Sequence, residues 1–167
     1  EEMFNAGQAW QWMECSRTEL FRLQYRHFCG GCTLNAVLGS AYFGIWERSW
    51  LIWKLVPLSF VLLMASVGSR HLHRVAGRPA AWAFLGLIAF PPRAWMHLSL
   101  IGWGNHLEAG CVALCAMVLL LRTERQRFAL VTGLVLGLCT WISFSGVYAS
   151  VAALAYLCLI RRHPLLP

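Results

Sequence analysis

Long apolar runs separated by short arginine clusters constrain this chain more than any other feature. Residues 50–68, 80–90, 105–121, 128–142 and 147–160 are almost entirely apolar, and the charges fall between them. Only 13% of the 167 residues are charged, whereas a soluble domain carries about a quarter. A surface this poor in charge is covered largely by lipid. The nine tryptophans agree, because the indole favours the headgroup zone of a bilayer. The expected fold class is all-α: a polytopic transmembrane helical bundle, with an extracytoplasmic loop that contains short interfacial helices.

The sign of the charges gives the expected topology. Segments 69–79, 122–127 and 161–163 contain Arg70, Arg74, Arg78, Arg122, Arg125, Arg127, Arg161 and Arg162 against the single acid Glu124. Segments 1–49 and 91–108 contain Glu1, Glu2, Glu14, Glu19, Glu47 and Glu108 beside five arginines. The positive-inside rule puts the first set in the cytoplasm, making 1–49 and 91–108 extracytoplasmic. Arginines used in this way are topology signals, so the net charge of +7 implies no nucleic-acid partner.

Two parts follow: 1–49 as the outer loop and 50–167 as the helical bundle, together read as a fragment of a larger protein. Helix is expected around 6–26, then a turn at Cys29-Gly-Gly-Cys32, then a run at 33–46. That run is too short to cross a bilayer, which takes about 20 residues. Ser49 is placed to cap the first crossing, the basic stretch 69–79 to loop, and Pro79 to open the next helix. Runs such as 80–90 and 128–142 are short for a core about 30 Å thick. Irregular backbone at that depth implies a covered or wet cavity, here open to the outside.

Glu108 is the most informative candidate. It stands in Gly102-Trp-Gly-Asn-His-Leu-Glu, at the mouth of an apolar helix, where a carboxylate is costly and usually functional. A capping box between Asn105 and Glu108 explains the same spacing without chemistry. His106 lacks a second ligand at helical spacing, so an interfacial histidine competes with a substrate contact. Glu1 and Glu2 fall on the same outer side; with Glu108 they could supply a base and a site for a divalent metal ion, Glu2 and Glu108 being the ligands. A solvated chain start is the plainer reading of the pair. Arg93 is an external cation suited to phosphate or simply to headgroups. Cys29 and Cys32 form the sole CxxC, a disulfide or redox pair in an oxidising compartment; Cys111, Cys115, Cys139 and Cys158 read as small core residues.

The order of these features resembles the N-terminal part of polytopic GT-C glycosyltransferases of the protein O-mannosyltransferase kind (glycosyltransferase family 39-like). The features are the acidic pair Glu1-Glu2, Gly44-x-x-x-Arg48-Ser49-Trp50, the basic turn, the helix ending at Pro91, the Asn105–Glu108 motif and Gly133-Leu-Val-Leu-Gly-Leu. The resemblance implies transfer of a sugar from a polyprenyl-phosphate donor to a protein, glycan or lipid acceptor at the outer face. It makes Glu1, Glu2 and Glu108 the catalytic carboxylates, with Asn105, His106 and Arg93 on the substrate. The family's pair is usually Asp-Glu, so Glu1 is a departure. Two other readings remain open: a non-catalytic membrane subunit or transporter piece, and a DsbB-like thiol oxidoreductase using the CxxC.

Overall fold

The computed structural model describes residues 2–14, 30–93, 95–96, 101–102, 106–122 and 126–159, without the side chains of 122, 126–129 and 159. It is all-helical, with no strand among the described residues. In chain order the helices are α1 (Glu2–Glu14), α2 (Gly30–Ile45), α3 (Trp50–Trp53), α4 (Leu55–Ala89), α5 (Leu107–Arg122), α6 (Gln126–Ile142) and α7 (Gly146–Leu159). α1 lies along α2, and α5 packs against α4, α6 and α7.

Ser49 caps α3 as its sequence position predicts. Its backbone is extended, and its hydroxyl accepts the Ile52 N–H at 3.3 Å. The helix is interrupted at once, at Lys54, because Pro57 has no N–H for the Trp53 carbonyl and its ring crowds that group. α4 then runs well past the expected boundary. Residues 69–76, expected as a loop, are helical, and so are Arg70, His71, His73 and Arg74. Charge ends a hydropathic run, but it does not end a helix when no glycine or proline accompanies it.

The break comes at Gly77, whose φ of 83° and ψ of 179° suit glycine, and Pro79 sits in the first turn that follows. The two arms of α4 fold back on each other. A Cβ placed on Gly68 would lie 2.5 Å from the Phe84 ring, although 16 residues of straight helix would separate them by about 24 Å. Phe84 and Ile88 thereby pack on the buried cluster that contains Val56, Phe60 and Met64. The expected pair of antiparallel helices is present, with a bend in place of an eleven-residue loop.

α2 also begins earlier than expected: Gly30, Gly31 and Cys32 form its first turn. Two of its glycines, Gly30 and Gly39, serve close packing. A Cβ on Gly30 would strike the backbone carbonyl of Trp141, at the end of α6. Backbone cannot swing aside, so Gly30→Ala should cost about 1–3 kcal/mol. Nothing lies within 4 Å of the corresponding point on Gly44, so Gly44→Ala should be neutral or slightly stabilising. Thermal unfolding of the two variants in detergent checks the contrast; equal losses would mean that Gly30 is not a packing contact.

The α6–α7 hairpin turns at 143–145 as expected. The Gly146 N–H meets the Ser143 carbonyl at 2.8 Å, and the Thr140 and Ser150 hydroxyls bond across the pair at 3.2 Å. Among the described residues, Trp50–Ala89 is the stretch long and apolar enough to cross a membrane. Leu107–Leu121, Leu130–Ile142 and Gly146–Cys158 are apolar but shorter.

Candidate functional site

Glu108 lies in the first turn of α5 and is 1% exposed. Its neighbours Leu107 and Ala109 are buried as well, so the mouth of this helix points into the protein rather than out of it. Asn35, on α2 and fully buried, donates its side-chain N–H to Glu108 Oε1 at 2.7 Å. That bond spans 73 residues and ties the two helices together. The other end of the same amide, Asn35 Oδ1, is buried and accepts no bond. An open acceptor therefore stands on the side chain that holds the carboxylate. Since α5 begins at Leu107, Glu108 is one position too early to close the expected capping box with Asn105, which lies outside the described residues.

Glu2 opens α1, and its environment differs from a solvated chain start. Its Oε1 accepts from Lys54 Nζ at 2.6 Å and from the Gly102 N–H at 3.2 Å, and the side chain is 16% exposed. One turn later, Asn5 donates to the Gly102 carbonyl at 3.0 Å. Gly102 itself packs against the indole nitrogen of Trp53, so closely that an added Cβ would sit 3.2 Å away. Glu2 and Asn5 thus clamp the segment before α5 onto α1. Asn5 Oδ1 and Trp53 Nε1 are buried without a partner in this arrangement. Desolvating such atoms costs about 1–3 kcal/mol each, so a layer that leaves several of them open is suited to a polar ligand.

The expected site residues divide as follows. Glu108 is built into the interior, and Glu2 is part-buried where α1 meets Lys54 and Gly102. Glu1, Asn105 and Cys29 lie outside the described residues. His106 is an exposed bend before α5, and its carbonyl accepts the Gly110 N–H at 3.0 Å. No contact among the described residues joins Arg93 to either carboxylate. Cys32 is disulfide-bonded and buried, while Cys111, Cys115, Cys139 and Cys158 are free. Of those four, expected in the core, Cys111 and Cys139 are buried and Cys158 is exposed.

Known proteins offer no guide here. The chain matches no family model, no curated protein and no solved structure.

A divalent cation at Glu2 would have to displace the Lys54 ammonium already seated there. No three residues of His, Cys, Asp and Glu gather as a ligand group among the described residues. The metal expectation therefore does not fit the geometry at Glu2.

A groove of about 240 Å³ opens beside Trp53. Met3, Ala6, Trp10, Phe43 and Trp50 make it apolar and aromatic, and Arg48 stands on its rim. Arg48 bonds Glu14 at 2.6 Å and lies 4.9 Å over the Trp10 ring. The Trp10 indole, and then Arg48, hold the exposed Glu14 carboxyl below its ordinary range.

Sequence reading missed Asn5, Asn35, Trp53, Lys54 and Gly102. A signal was present for two of them. Asn35 is the one amide in the apolar run 33–46, and Lys54 is the sole lysine of the chain, set just inside a hydrophobic helix. Both are costly placements that a partner must offset.

Proposed function

We propose that the chain is a membrane-embedded part of a glycosyltransferase that moves a sugar from a polyprenyl-phosphate donor to a protein, glycan or lipid acceptor at the extracytoplasmic face. The observation that carries this reading is Glu108: a carboxylate 1% exposed in an apolar helical interior, aimed by Asn35. Glu108 takes the proton of the acceptor hydroxyl. The acceptor oxygen then bonds to the anomeric carbon, the bond from that carbon to the phosphate oxygen breaks, and the lipid phosphate departs with its electron pair. Asn35 positions Glu108 through its N–H and offers Oδ1 to a hydroxyl of the bound sugar or acceptor. Glu2, held by Lys54 and Gly102, is a clamp of this site rather than its base.

The membrane placement is supported by the outward faces of the helices. α6 exposes Leu130, Leu134, Leu138 and Trp141, α7 exposes Val151 and Leu154, and α4 exposes Leu62 and Leu63. Helices that are apolar on both inner and outer faces belong in lipid or at a large interface. In this reading α4 through α7 make the crossings, with the arginine segments cytoplasmic. The aromatic groove at Trp10 and Trp50 suits an isoprenoid chain lying near the outer surface.

A non-catalytic membrane subunit is the second reading. It is favoured by the same bonds, since Lys54–Glu2 and Asn35–Glu108 hold the fold whether or not a sugar is transferred. The deciding experiment reconstitutes the full-length protein in vesicles and follows labelled sugar from a panel of polyprenyl-phosphate donors. Transfer from one of them, to an acceptor on the outer side only, is the expected result. A protein that inserts stably and transfers from none of them would establish the subunit reading instead.

A further inference from the structure

No acid occurs in the sequence between Glu47 and Glu108, yet that stretch contains Arg70, Arg74 and Arg78 together with His71 and His73. The bend at Gly77 brings part of this charge to the lining of one open cavity while the side chains stay exposed. Arg70 and His73, three residues apart, share one face of the first arm of α4. Arg78, Ala81, Trp82 and Leu85 share one face of the second. Between the arms lies a cavity of about 360 Å³ lined by these residues. Arg48 and Lys54 each have a carboxylate partner at 2.6 Å. Arg70, His73 and Arg78 have no such partner and no hydrogen bond among the described residues, so their donors are available.

We propose that this cavity binds the phosphate of an anionic membrane phospholipid. Two guanidinium groups supply paired N–H donors in the geometry that phosphate oxygens accept, and the imidazole adds another. Cationic residues with no acid near them also set topology, but topology needs no convergence on one cavity. The lining argues for a lipid rather than free phosphate: Ala81, Trp82 and Leu85 form an apolar wall, and Trp82, 71% exposed, carries it out to the surface. The headgroup meets the guanidinium side, and the acyl chains follow the apolar side. This inference rests on the membrane placement proposed above and is independent of sugar transfer.

The test titrates the full-length protein in nonionic detergent with dihexanoyl phosphatidylglycerol, dihexanoyl phosphatidylcholine and inorganic phosphate, by calorimetry. Saturable binding of phosphatidylglycerol, roughly tenfold tighter than phosphatidylcholine, is expected. The double variant Arg70→Gln/Arg78→Gln should weaken it roughly a hundredfold. Arg74→Gln, on the same helix but outside the cavity lining, should weaken it severalfold at most. All these side chains are exposed, so the variants should keep the helical circular dichroism of the parent.

Equal losses from the double variant and Arg74→Gln, or no selectivity for the anionic lipid, would overturn the site. Inorganic phosphate binding as tightly as phosphatidylglycerol would overturn the lipid assignment. A separate arm offers the protein to phosphatidylcholine vesicles. Failure to insert there would strike the membrane placement itself, whereas insertion without anionic selectivity would strike only the cavity.

Discussion

Glu108→Gln should leave the fold standing and, under the function proposed above, abolish sugar transfer. The glutamine amide has nearly the shape of the carboxyl group, and its oxygen can still accept the Asn35 N–H now donated at 2.7 Å. The expected stability change is therefore below about 1 kcal/mol. Catalysis has no such substitute. An amide cannot take the acceptor's proton, and loss of a positioned base lowers rates by roughly 10²–10⁴. Glu108→Leu gives the contrasting result, since it removes the acceptor and leaves the Asn35 N–H buried and unpaired, at about 1–3 kcal/mol. The two measurements are transfer by the reconstituted full-length protein and its melting temperature in detergent. Near-normal transfer by a stable Glu108→Gln protein would remove Glu108 from the chemistry and leave it as a tie between α2 and α5.

The contrast between Glu108 and its partners shows which information a sequence carries locally. Glu108 was legible because a carboxylate in an apolar run is anomalous wherever the run folds. Ser49 was legible because a cap is settled within four residues. Asn5 and Asn35 were not, since their partners lie 97 and 73 residues away and no local pattern encodes a pairing at that separation. Gly30 and Gly31 read as a turn by propensity. Both are helical, and at position 30 only a glycine leaves room for the Trp141 carbonyl, a tertiary demand set against an intrinsic cost of about 1 kcal/mol. The 69–76 segment departs from expectation for a different reason. Hydropathy reports the surroundings of a helix, and the backbone hydrogen bonds of α4 continue through a change of surroundings until Gly77 breaks them. Pro79 stands in the first turn of the second arm, and Gly77, two residues earlier, is the sharper signal.

Trp53→Ala should be among the most damaging single changes outside the chemistry. α3 has only four residues, too few to hold itself, and Trp53 is the side chain by which it is held. The indole is fully buried. It lies against the Cα of Gly39 on α2, stacks at 34° on Phe43 with 6.3 Å between ring centroids, and covers Gly102, which Asn5 and Glu2 bind. One ring thus joins α2, α3 and the strap before α5, with Ala9 of α1 packed into the same cluster. Emptying that position should cost about 3–5 kcal/mol, less to the extent that the groove beside it admits detergent or water. Trp53→Phe separates packing from hydrogen bonding. The indole N–H has no acceptor, so phenylalanine forfeits no bond and loses only part of the volume, and it should retain most of the stability. Unfolding in graded denaturant, followed by far-ultraviolet circular dichroism, measures both. If the alanine variant lost less than about 1 kcal/mol, α1 and α2 would be held by their own contacts, and the polar layer around Gly102 would not depend on this ring.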